Sequence, residues 1–170
     1  MGIGVKIMYV HHNQKGFSLI ELLIVVTILG IVASIAIPNL LSTKRAANEA
    51  SAVASMRTIS TCEASYAATY GTGNYADLTA LGQRTLTDSV LAAAINAANA
   101  KSGYYFTINP VAGPPPHFWA YALPAVTSGI ARSGTRRLGL TDDGVLRSDT
   151  TLVAPANYAT INPGMPPIGN

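Results

Sequence analysis

Three hydrophobic periods divide the chain. From Phe17 to Leu41 apolar residues run on with no polar side, and these 25 positions hold one charge, Glu21. A membrane-crossing helix needs about 20 such residues. Beyond Leu41 the pattern becomes one-sided. Val53, Met56, Ile59, Cys62, Tyr66 and Tyr70 recur at intervals of three or four, with Asn48, Glu49, Ser51, Arg57, Thr58 and Ser60 between them, as on an amphipathic helix. Ala46, Ala47, Ala50, Ala54 and Ala64 favour that helix, and Gly71 and Gly73 stop it. Residues 17–70 therefore read as one helix, about 80 Å long at 1.5 Å per residue. Its first half (17–41) is apolar all round. Its second half (42–70) is apolar on the side that packs under a small domain.

The third period is two. Residues 71–85 read as a loop with a short turn or helix at Tyr75–Leu81. Residues 86–100 (LTDSVLAAAINAANA) predict a second helix, capped by Thr87 or Asp88, with Val90, Leu91, Ala94, Ile95 and Ala98 as its apolar face. Alternation then begins. Residues 103–109, 118–123, 137–141 and 145–148 are strand candidates, the first rich in aromatic and β-branched residues. Asp142-Asp143-Gly144 joins the last two as a hairpin. One face of an antiparallel sheet would lie on the long helix, and the other would face solvent. The prediction is an α+β fold with a head at 71–153. Residues 154–170 hold four prolines and two glycines; they read as an irregular tail with no regular element, either laid over the sheet edge or disordered.

Charge adds little to this picture. The formal charge of +3 includes Lys6 and Lys15; after residue 16 there remain nine Lys/Arg against eight Asp/Glu. A nucleic-acid surface needs a clustered patch. Only Arg132, Arg136 and Arg137 approach one, and a solvated loop is the simpler reading. The lone cysteine, Cys62, excludes an intramolecular disulfide and sits on the helix stripe as a core thiol. No GxSxG, HExxH or Walker loop is present. His117 follows three prolines and reads as a turn residue, and His11 and His12 show no metal-ligand spacing. Asp142, Asp143 and Asp149 read as turn residues, without EF-hand spacing. Tyr66, Tyr70 and Tyr75 read as packing residues. Neither an enzyme nor a cofactor is expected.

The charge that needs explaining is Glu21. A carboxylate in the bilayer centre costs about 2.5–3.5 kcal/mol on insertion scales. A secretory signal peptide, with Ser34-Ile35-Ala36 as a cleavage site, would have an overlong core with a charge in it. A plain single-span anchor leaves Glu21 unexplained. A third reading supposes a cut between Gly16 and Phe17. A new α-amino group would then lie four residues before Glu21, and pairing between staggered neighbours would fix their axial register, a role suited to a sparse charge pair. Pro38 removes a backbone donor and predicts a kink or break near residues 34–38, and Gly30 weakens the same stretch by roughly 1 kcal/mol relative to Ala.

The run KGFSLIELLIVV, Lys15 to Val26, resembles the N-terminal motif of bacterial type IV pilins and type II secretion pseudopilins. The likeness is specific over residues 15–45. It implies a leader (1–16) removed by a membrane prepilin peptidase after Gly16, N-methylation of Phe17, a register role for Glu21, and melting of the helix between Gly30 and Pro38 on assembly. It also implies a fate. The chain would be a single-pass protein of the inner membrane, held in lipid before assembly. It would then become a structural subunit of an extracellular or periplasmic pilus-like filament. Its implied partners are identical or homologous pilin subunits, the peptidase, and an inner-membrane assembly platform with its ATPase. Alternatives are a type II secretion pseudopilin or minor pilin and, from another class, a single-span membrane-anchored binding protein.

Overall fold

The computed structural model describes residues 16–168. Most of the predicted leader, with Lys6, His11, His12 and Lys15, lies outside the described residues. The chain divides into two compact units, Met1–Pro38 and Asn39–Asn170.

Helix α1 spans Leu19–Thr69. In the first unit it exposes its large side chains, from Leu19 through Ile37. Its hydroxyls are satisfied within the helix. Thr27 Oγ1 donates to the Leu23 carbonyl at 2.8 Å, and Ser34 Oγ donates to the Ile31 carbonyl at 2.7 Å. Of the kink or break expected near residues 34–38, no break is present: α1 continues through Pro38. One missing N–H and one ring clash are tolerated within an otherwise intact helical ladder.

In the second unit α1 supplies one wall of the core. Ala52, Met56, Ile59 and Cys62 lie in one apolar cluster with Leu78, Leu81, Leu91, Phe106, Ala120 and Leu138. The predicted stripe is rotated slightly, for Val53 and Tyr66 are only partly buried and Tyr70 is exposed. Glu49, expected on the polar side, is instead buried, as is Glu63. Positions 49, 52, 56, 59 and 63 follow the three-four alternation that faces the head.

Two short helices follow. α2 covers Leu78–Gln83, capped by Asp77, whose Oδ1 accepts from Ala80 N–H. α3 covers only Ser89–Ala93, and the cap is Asp88, whose Oδ1 accepts from Leu91 N–H. The predicted 15-residue helix is thus cut short. The Ala94 carbonyl accepts from Phe106 N–H of the sheet, and Asn96 caps a separate 3₁₀ turn at Ala97–Asn99. Val90 and Ile95 of the expected apolar face are exposed, while Leu91 and Ala94 are fully buried.

The sheet is an antiparallel meander in the order β1 (Tyr104–Val111), β2 (His117–Pro124), β3 (Arg137–Thr141) and β4 (Leu146–Asp149). Gly144, at φ +72, supplies the left-handed turn between β3 and β4. Asp143 is fully committed there. Its Oδ1 accepts from Val145 N–H and Thr141 Oγ1, and its Oδ2 pairs with Arg147 at 2.6 Å. Asp149 takes a bidentate pair from Arg137 at 2.7 and 2.6 Å.

The tail departs most from expectation. It forms a short helix, α4 (Tyr158–Ile161), capped by Asn157. Ile161 and Met165 are buried on the sheet face opposite α1, against Gly139 of β3. That face is therefore covered here rather than solvated, and every residue of β3 is buried. The chain then pairs along β4. Ser148 N–H donates to the Pro166 carbonyl and Ile168 N–H to the Leu146 carbonyl, closing an edge that would otherwise be open to pairing.

Polar contacts fasten loop 133–136 to α1. Glu49 Oε1 accepts from Thr135 N–H at 2.7 Å, and its Oε2 pairs with Arg136 at 3.0 Å. Burial pushes the Glu49 carboxyl up, but the bonds from Thr135 and Arg136 outweigh it and hold it below the ordinary range. Glu63 is the opposite case. Its Oε2 accepts from Ala76 N–H at 3.0 Å, but its Oε1 has no hydrogen-bond partner. Burial, with the Asp77 carboxylate nearby, raises its pKa from 4.5 to about 7.

Two predictions follow from this packing. A Cβ at Gly139 would lie 2.7 Å from Ile161 Cγ2 and 3.0 Å from Met165 Sδ. Gly139→Val should destabilise the head by about 1–3 kcal/mol, the usual cost of overpacking, and should speed proteolytic release of the tail. Denaturant titration and limited proteolysis measure both. Glu63 holds its proton to higher pH folded than unfolded. Its contribution to stability is complete below pH 4.5 and is lost as pH rises to about 7. Glu63→Gln should flatten the stability–pH curve over that window, as followed by thermal unfolding.

Candidate functional site

Phe17 is 78% exposed and lies two residues before the start of α1. Ser18 opens the helix, and its carbonyl accepts from Leu22 N–H at 3.2 Å. Its own N–H donates to Glu21 Oε2 at 3.4 Å. Ser-x-x-Glu is the spacing of a capping box, a local role for Glu21 that the S-L-I-E string carries and that the reading of Glu21 as a membrane charge passed over. The bond is long, beyond the usual 2.7–3.2 Å. It engages one oxygen of an exposed carboxylate and leaves room for a stronger partner.

The contrast within the segment is chemical. Thr27 and Ser34 answer their own hydroxyls against helix carbonyls, so neither needs a partner from outside. Glu21 alone carries a charge between Phe17 and Leu41. Gly16 has no atom within 4 Å of a Cβ position, and the same is true of Gly30. Among the described residues nothing therefore demands glycine at either place. At Pro38 the missing N–H leaves the Ser34 carbonyl without its usual backbone donor.

The other candidate groups are committed to the fold. Cys62 Sγ donates to the Leu86 carbonyl at 2.9 Å, and burial raises its pKa, with Glu63 and Asp88 adding to the effect; a protonated, enclosed thiol is a poor nucleophile. His117 stands edge-on to Tyr158, with ring centres 5.3 Å apart, and hydrogen-bonds no acid. Arg136 and Arg137 are spent on Glu49 and Asp149, which dissolves the basic cluster. Tyr75 packs on Phe118 at 4.7 Å and Tyr66 on Tyr70 at 6.1 Å. Among the described residues no group of three or more His, Cys, Asp or Glu is placed to hold a metal. Of the candidate groups read from the sequence, those of the N-terminal segment are the ones not committed to the head's own packing.

That segment is what known proteins share. Residues 11–37 match the family model described as the prokaryotic N-terminal methylation motif. The chain is 57% identical over 37 residues to the type IV wide pilus major component PilA4 of Thermus thermophilus, covering 22% of this chain and 28% of that one. It is 51% identical over 41 residues to type II secretion system core protein G of Vibrio cholerae (24% and 28%) and 43% over 42 residues to that of Pectobacterium carotovorum (25% and 27%). The matches span little more than a quarter of these relatives. No solved structure matches the chain. The α+β head built on a long N-terminal helix is consistent with a pilin fold. Over about a quarter of its length, then, the chain carries the prokaryotic N-terminal methylation motif and is similar there to type IV pilins and type II secretion pseudopilins.

Proposed function

We propose that the protein is a structural subunit of a type IV pilus-like filament. Prepilin peptidase would cut it between Gly16 and Phe17, and Phe17 would be N-methylated. An inner-membrane assembly platform and its ATPase would then draw the subunit from lipid into the filament. The observation that carries this reading is the state of Glu21. It is the one charged side chain of the apolar stretch 17–41, whose α1 hydroxyls are internally satisfied, and it holds only a 3.4 Å contact. The Phe17 ammonium of an adjacent subunit, created by the cut, is the partner of right charge and depth. In a water-poor filament core that pair is strengthened by the low dielectric. Gly30 and Pro38 provide a stretch where α1 can unwind to fit its neighbours. The matches to type II secretion core protein G favour a pseudopilin as the second reading. A single-span binding protein would keep residues 1–16, and the N-terminal mass of the native protein separates it from both.

Glu21→Gln preserves an acceptor for Ser18 N–H and removes the charge. It should insert and be cleaved normally, while sheared filament yield falls about tenfold, the effect of a little over 1 kcal/mol per added subunit. Normal yield would assign Glu21 to capping alone. Gly16→Leu should leave residues 1–16 attached; intact-mass spectrometry that found a methylated Phe17 terminus in this variant would contradict the cut site.

A further inference from the structure

The unpaired cations of the chain are unevenly placed. Of the nine Lys and Arg after residue 16, Lys101, Arg136, Arg137 and Arg147 are held in ion pairs, and Arg84 lies over the Tyr70 ring at 4.8 Å. Lys44, Arg45, Arg57 and Arg132 have no anionic partner among the described residues; Arg57 lines a separate cavity with Leu140 and Leu146. Lys44 and Arg132 line one cavity of about 560 Å³ with Leu41, Asn48, Gly103 and Ile130. Arg45 follows Lys44 on the helix, and its Nε is enclosed without a hydrogen-bond partner. The carboxylate nearest in sequence, Glu49, is already taken by Thr135 and Arg136. The site is therefore cationic and uncompensated.

It is also apolar at its rim. Loop 126–133 is closed at its base, where Ser133 N–H donates to the Val126 carbonyl and Ser133 Oγ accepts from Val126 N–H. Asn48 Nδ2 ties the loop to α1 through the Ser133 carbonyl at 2.9 Å. Ile130 is left 77% exposed. Arg132 Nε donates to the Gly134 carbonyl at 2.9 Å, which leaves its terminal nitrogens free. Two cations beside an exposed isoleucine and a leucine make a poor site for a free polar anion and a good one for an amphiphile.

The location fits the same ligand. The apolar run ends at Leu41. Lys44 is three residues on, about 4.5 Å of helix rise, and a headgroup layer is roughly 5–8 Å deep on each side of the hydrocarbon. We propose that Leu41, Lys44, Ile130 and Arg132 form a seat for an anionic phospholipid. Its phosphate lies against Lys44 and Arg132, and its glycerol and upper acyl carbons lie against Leu41 and Ile130. The seat holds the head against the bilayer before assembly. This rests on the membrane-anchored reading of the chain.

The full chain, reconstituted into vesicles of equal phosphatidylglycerol and phosphatidylcholine and re-extracted in mild detergent, should retain phosphatidylglycerol in preference, as counted by mass spectrometry. Lys44→Gln with Arg132→Gln should cut that preference by about fivefold per cation removed, and Ile130→Ser should lower the lipid retained. Near-ultraviolet circular dichroism from Trp119 confirms that the heads are folded. No preference in the native chain, a preference unchanged in the double variant, or its loss on adding millimolar inorganic phosphate would overturn the lipid seat. Flotation with phosphatidylcholine vesicles reads the anchor separately. A chain that floats without selecting its lipid defeats the seat alone, and one that does not float defeats the membrane reading with it.

Discussion

An uncovered apolar helix surface dominates this molecule. In the first unit the large side chains from Leu19 to Ile37 are exposed, and each is worth about 1.5–3 kcal/mol when removed from water. Lipid or other apolar helices must cover them. That force is strong but has no direction. A cylinder apolar all round slides and rotates against similar cylinders at little cost, so hydrophobic burial cannot choose a register. One charge among 25 residues can. Glu21 is too sparse to weaken the cohesion and too costly in lipid to leave unpaired. In the proposed filament the two forces divide the work: apolar area supplies cohesion, and the ammonium–carboxylate pair supplies position.

The second half of α1 faces a different demand, since it must carry a head. It does so with a stripe that mixes apolar and acidic residues. Met56 and Ile59 are buried completely. Glu49, seven residues before Met56, reaches across to Thr135 and Arg136, and Glu63, seven after it, accepts from Ala76 N–H. Both glutamates join α1 to loops rather than to strands, so the strands are placed by apolar contact and the loops by hydrogen bonds. Removing one partner of such a buried contact costs more than the contact contributes.

Much of this was legible in the sequence. The apolar run, the four strands and the Asp-Gly turn follow from periodicity and turn chemistry, both of which are local. What escaped was non-local. The helix predicted over 86–100 ends at Ala93 because Phe106, twelve residues beyond Ala94, takes the Ala94 carbonyl, and no helix propensity encodes that competition. The prolines of the tail predict an irregular segment. Yet Asn157 caps a turn of helix, and Ile161 and Met165 fill the space left by the missing side chain of Gly139. A glycine inside a strand was the available signal. Glu49 and Glu63 were legible only by giving spacing precedence over polarity. The N-terminal segment was read through resemblance as much as through physics, and the resemblance reaches no further than that segment.

The central claim is that Glu21 is half of a pair completed by another chain. The most direct measurement is a cryo-electron microscopy map of the assembled filament, at a resolution that shows side chains. The account predicts a chain beginning at Phe17, with its terminal nitrogen within about 4 Å of a Glu21 carboxylate oxygen on an adjacent subunit. A map in which residues 1–16 remain attached, or in which Glu21 bonds only to Ser18 of its own chain, would contradict it.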